Sequence, residues 1–197
     1  MNNLPNLARI HVRGVMGSGK STFTTALSQA TGIPARLESL ADYKSLAKAY
    51  ANPAHYREQV QWEIFERLLD HQRYTGIVDM TLEDNVFVFS KHYFGLSALQ
   101  QRIEARYLRG LDTGEIARPQ LTIFLEPEPE IIHTRIRLRR RPTEARVTLV
   151  DIQHMSRLLR IDREQHYRPG DCLVVADSLV GSELAARIES RLYAHFI

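Results

Sequence analysis

Gly14-Val15-Met16-Gly17-Ser18-Gly19-Lys20-Ser21 satisfies the spacing GxxxxGK[ST] at every specified position, and residues of these types in this order suit a phosphate chain. Three glycines let the backbone curl until successive N–H groups point inward at anionic oxygens. Lys20 then reaches the β- and γ-phosphates, and the Ser21 hydroxyl can take a place on Mg²⁺. The segment before the loop, Leu7 to Arg13, alternates like a strand, while Ser21 to Ala30 reads as a helix whose positive N-terminal end faces the anion. Gly14, Met16, Gly17, Ser18, Gly19, Lys20, Ser21 and Thr22 are therefore the expected contacts of ATP, with Mg²⁺ at Ser21. A glycine-rich turn that binds nothing would leave Lys20 and Ser21 without a packing reason.

Two carboxylates merit attention beside this loop. Asp79 ends the apolar run Gly76–Met80, where a Walker-B type acid would help hold Mg²⁺; an acid there serves equally well as a helix N-cap. Glu38 closes the short run Pro34–Glu38. It is either a surface glutamate or a base for a hydroxyl attacking the γ-phosphate. Such a base needs no unusual strength, because phosphoryl transfer draws mostly on positioning and charge neutralisation. A third feature is the run Arg135-Ile136-Arg137-Leu138-Arg139-Arg140-Arg141. It suits a lid that closes guanidinium groups over a triphosphate, or a surface for nucleic acid or an acidic partner.

The elements that must position these residues alternate. Strand-like runs occur at 7–13, 34–38, 76–80, 120–125 and 171–175. Helical patterns fill 21–30, 42–50, 53–74, 82–92, 96–109, 130–141, 144–166 and 182–196. Alternation of this kind predicts an α/β protein with a five-stranded parallel sheet flanked by helices, a single domain over 1–197. Ligands in such sheets bind beyond the carboxyl ends of the strands, which is where the loop, Glu38 and Asp79 fall. The arginine run lies between the fourth and fifth strands, the usual location of a lid, here about 135–146.

Taken together, these motifs resemble the deoxynucleoside kinase family, above all its short bacterial deoxyadenosine/deoxyguanosine kinases, and the resemblance runs from Ile10 to about Val175. Glu38-Ser39-Leu40 is similar to the family's Glu-Ser/Pro-Val element, whose glutamate is the general base for the nucleoside 5′-hydroxyl. Tyr50-Ala51-Asn52-Pro53 with Tyr56 and Gln61 resembles its Tyr-x-Asn/Asp-Pro…Gln helix pair. That match implies that Tyr50 contacts the sugar 3′-hydroxyl and that Gln61 pairs with the base, a role that an amide's adjacent donor and acceptor suit. The lid resembles Arg-Ile-x-x-Arg-Gly-Arg-x-x-Glu, implying that Arg135, Arg139 and Arg141 grip phosphates and Glu144 reaches the 3′-hydroxyl. Arg140 stands where the family has glycine, which should stiffen the lid. Asn85 falls where the family lines its base pocket, and Phe87 and Trp62 are the aromatic candidates to line it.

One departure matters. Asp79-Met80-Thr81 stands where the family has Asp/Glu-Arg-Ser, and methionine neither hydrogen-bonds like that arginine nor carries its charge. Arg36 or a lid arginine is the candidate replacement. The resemblance implies ATP-dependent phosphorylation of the 5′-hydroxyl of a 2′-deoxynucleoside, purines preferred, in nucleotide salvage. The alternatives are a kinase for a nucleotide or another small acceptor, and a nucleotide-binding regulator of weak activity.

Size and composition fit this account. A chain of 197 residues buries roughly 70% of its unfolded surface. No apolar run approaches the roughly 20 residues that cross a membrane, and the N-terminal residues lack the basic and apolar regions of a secretory signal. The single cysteine, Cys172, cannot form an internal disulfide. A cytoplasmic location follows, with small molecules as partners rather than nucleic acid or membrane. The resemblance adds a homodimer. The eight histidines show no metal-ligand spacing.

Overall fold

A computed structural model describes residues 9–38, 53–141, 144–168 and 170–176. Its centre is a sheet of five strands: β1 (Arg9–Arg13), β2 (Ala35–Arg36), β3 (Gly76–Val78), β4 (Leu121–Leu125) and β5 (Cys172–Val175). They lie in the order β2-β3-β1-β4-β5, and every pairing is parallel. The helices are α1 (Lys20–Thr31), α2 (Pro53–Gln72), α3 (Ser90–Phe94), α4 (Ala98–Asp112), α5 (Pro129–Arg139) and α6 (Leu149–His166). The expected helices at 42–50 and 182–196 lie outside the described residues.

Alternation along the central strands sorts the core into layers. Ile10 and Val12 of β1, with Leu121, Ile123 and Leu125 of β4, pack on Phe23 and Leu27 of α1. Phe124 points the other way and joins Val15, Ile132 and Ile136 of α5, and Ile152, Met155 and Leu159 of α6. A third cluster, outside the sheet, gathers Phe65 and Leu68 of α2 with Phe87, and Ile103 and Tyr107 of α4. The odd members of β1, His11 and Arg13, are buried as completely as its aliphatic residues.

Two elements depart from the expected pattern. The run expected as one helix over 82–92 contains a π-helical segment, Asp84–Phe89, before α3. Within it the Val86 carbonyl accepts from Ser90 Oγ at 2.8 Å and Gln100 Nε2 at 3.4 Å. The helix expected from 144 begins only at Leu149, because Thr148 and Asp151 form a reciprocal capping box.

Candidate active site

The loop between β1 and α1 is shaped by its glycines and by what crosses it. Gly17 has φ +80°, and a Cβ there would come within 2.8 Å of Ile136 Cγ1 and 3.1 Å of Ile132 Cγ2. Helix α5 thus lies directly on the loop, which only glycine permits. Gly19 adopts φ 100° at the head of α1. Met16 borders the cluster around Val15, Ser18 is buried, and Thr22 is exposed.

Lys20 folds back onto its own loop: its ammonium donates to the carbonyls of Gly14 at 2.6 Å and Val15 at 3.1 Å. Burial lowers its pKa, opposed by Asp84, Asp79 and Glu38, with Arg139 adding to the fall. An arriving polyanion would reverse that burden by favouring the charged form.

The acids meet at the carboxyl ends of β2 and β3. Ser21 Oγ donates to Asp79 Oδ2 at 2.5 Å, and the other Asp79 oxygen accepts the Glu38 backbone N–H at 2.8 Å. Asp79 therefore ties the first turn of α1 to Glu38, two residues past β2. The hydroxyl and carboxylate form a hard-oxygen pair of the type Mg²⁺ takes.

The arginine run begins on α5. Arg135 donates to the Ser18 carbonyl at 3.3 Å. Arg139 grips Glu144 with both ends of its fork, at 2.6 and 2.5 Å, and Arg141 lies 3.9 Å from the same carboxylate. Arg140 closes α5 in the left-handed region, φ 49° and ψ 38°. That conformation costs a non-glycine residue about 1–2 kcal/mol, whereas glycine's extra freedom in the unfolded chain costs about 0.4–1 kcal/mol. Arg140→Gly is therefore expected to raise thermal stability by up to about 1 kcal/mol, or roughly 2–4 °C, as a melting curve would read.

The remaining candidates sit on the helical layer. Gln61 is buried on α2 and Asn85 in the π-helical segment; the side-chain carbonyl oxygen of each lacks a partner among the described residues. Phe87 is buried too, its ring 5.3 Å from Tyr107 and 4.9 Å from His166 between centroids. Trp62 packs edge-on to Phe65. Met80 borders the apolar cluster of Phe65 and Leu82, so this position serves the core where an arginine would serve the site. Arg36 pairs with Asp70 at 2.8 Å and lies over Tyr74. Tyr50 lies outside the described residues.

Sequence reading missed the charges beneath the loop. His11 Nδ1 lies 3.5 Å from Glu83 Oε2, and Gln72 and Tyr107 donate to the other Glu83 oxygen at 2.9 and 3.2 Å. Burial alone would push this carboxyl up; the charge and hydrogen bond of His11, with Arg13, bring it down to about 2. A depressed carboxylate stabilises the fold above its ordinary value near 4.5 and loses that contribution as pH falls through about 2. The shift corresponds to about 3 kcal/mol. The stability gap between wild type and Glu83→Gln should narrow as pH falls from about 5 towards 2, as denaturant titrations at each pH would record. The signal was present in the sequence as His11 and Arg13 alternating with Ile10 and Val12 in β1.

The parallel sheet, phosphate-binding loop and strand-end acid together form a P-loop kinase fold. A model of the family described as "Deoxynucleoside kinase" matches residues 10–161, and the chain belongs to that family. It is 30% identical over 155 residues to a deoxyadenosine kinase of Dictyostelium discoideum, an alignment covering 74% of this chain and 62% of that protein. The chain thus spans under two thirds of that relative's length. Its fold is similar to that of a deoxyadenosine kinase from M. mycoides solved with bound dCTP, at a TM-score of 0.76 and 16% identity, over 94% of this chain and 99% of that one. The same enzyme with bound dATP gives a TM-score of 0.71 over the same shares. No helix among the described residues is long and apolar enough to cross a membrane.

Proposed function

We propose that this protein transfers the γ-phosphate of ATP to the 5′-hydroxyl of a 2′-deoxynucleoside, purines preferred, as a salvage kinase of the cytoplasm acting as a homodimer. The observation that carries this reading is the junction at Asp79, which ties Ser21 of the loop and the backbone of Glu38 to one carboxylate. Donor-phosphate residues and a candidate base are thereby held side by side, as in-line transfer requires.

In this mechanism the loop amides and Lys20 cradle the β- and γ-phosphates. Ser21 and Asp79 would hold Mg²⁺, which supplies charge neutralisation to the donor phosphates when bound. Gln61 reads the base edge, Tyr50 and Glu144 hold the sugar, and Phe87 backs the base pocket. The 5′-oxygen bonds to the γ-phosphorus as the bond to the β-phosphate oxygen breaks, and its proton passes to Glu38. Arg135, Arg139 and Arg141 meet the charge on the transferring group once Arg139 exchanges Glu144 for phosphate.

The test is transfer from Mg²⁺-ATP to the four deoxynucleosides and their ribose counterparts, each with and without competing deoxynucleoside monophosphate. Deoxyadenosine or deoxyguanosine should be the best acceptor, with the monophosphate competing poorly. Tight competition by the monophosphate would favour a nucleotide kinase instead. ATP binding without transfer to any acceptor would favour a regulatory protein.

A further inference from the structure

Arg13 is the largest fully buried side chain among the described residues, and it ends the strand that launches the phosphate-binding loop. Its Nε donates to Asp84 Oδ1 at 2.8 Å, and one terminal nitrogen reaches Asp162 Oδ2 at 2.6 Å and the Tyr167 hydroxyl at 3.1 Å. The guanidinium lies over the rings of Phe124 and Tyr167, 5.0 and 5.6 Å from their centroids. One cation therefore joins β1, the π-helical segment, β4 and α6.

Asp84, equally buried, carries the contact onward. Its Oδ2 faces the N–H of Gly14, the first residue of the loop, at 3.5 Å. Its own N–H donates to Thr81 Oγ1 at 3.2 Å. Buried ion pairs are often no more stabilising than apolar residues of the same shape. A charged cluster at the root of a phosphate-binding loop thus has a stronger rationale in geometry than in stability.

We propose that Asp84, clamped by Arg13, is a positioning residue for the donor phosphates: its carboxylate holds the N–H of Gly14, the residue whose carbonyl takes the Lys20 ammonium, and Arg13 ties that arrangement to α6. The inference rests on reading the loop as an ATP site. It separates this buried carboxylate from Asp79, which serves the metal side of the same loop.

The experiment measures Mg²⁺-ATP affinity by calorimetry for wild type, Asp84→Asn, Arg13→Gln and the double variant, with KM for ATP and deoxynucleoside in parallel. Asp84→Asn should weaken ATP binding and raise its KM by about tenfold or more. The deoxynucleoside KM should stay within about threefold. Because Arg13 acts through Asp84, the double variant should lose less than the product of the single losses. A lower melting temperature with unchanged ATP affinity would overturn the inference, as would multiplicative losses. Should Asp84→Asn fail to fold, the double variant, which removes both members of the pair, carries the same ATP measurement, and wild-type affinity there overturns it. Wild type that binds no Mg²⁺-ATP would overturn the functional reading and this inference with it.

Discussion

Glu38→Gln is expected to cut phosphate transfer by about 10²–10⁴-fold, the usual worth of a positioned general base, while ATP affinity stays within about twofold. The reason lies in how this residue is held. Its backbone N–H donates to Asp79, and its carboxylate is one of three that act on Lys20. Glutamine keeps the shape and the backbone bond but cannot take a proton. The loss should therefore fall on kcat, with both KM values nearly unchanged. Steady-state kinetics with calorimetric ATP titration separates the cases: equal loss of turnover and ATP binding would remove Glu38 from the role of base.

Lys20→Ala should lose about 10²–10³-fold in transfer, the scale for deleting one preorganised charge at a developing oxyanion, and ATP binding should weaken as well. Lys20 is the one loop side chain whose charge can follow the γ-phosphate, and its ammonium rests on two loop carbonyls. Lys20→Arg should restore little, because a planar fork matches neither that carbonyl pair nor a point contact to phosphate. Full-progress assays of the three proteins would decide; an alanine variant retaining a tenth of wild-type turnover would contradict the assigned role.

The strand order was not stated by the sequence, but the parallel sheet and its ligand-binding edge were legible, because short apolar runs alternated with helical periodicity and the loop spacing is highly specific. The placing of Asp79 beside the loop was legible for the same reason: it follows an apolar strand and meets Ser21. The π-helical segment was not legible, since 3.6- and 4.4-residue turns produce the same apolar pattern over six residues. Nor was the Arg13–Asp84–Asp162 cluster, whose partners lie 71 and 149 positions along the chain. The departure at Met80 was visible as a letter but not as a location. Its side chain lies against the helical core, so the loss of arginine is a repacking towards apolar neighbours. Arg36, named with the arginine run as a replacement, pairs with Asp70; a different substrate or weak catalysis are the other expectations that Met80 raises.

The most direct measurement is single-turnover transfer from γ-labelled Mg²⁺-ATP with deoxyadenosine present, scoring label in the 5′-monophosphate against label in free phosphate. The proposed function predicts label in the monophosphate, abolished by Lys20→Ala and nearly abolished by Glu38→Gln. Label appearing only in free phosphate, or transfer indifferent to both substitutions, would contradict it.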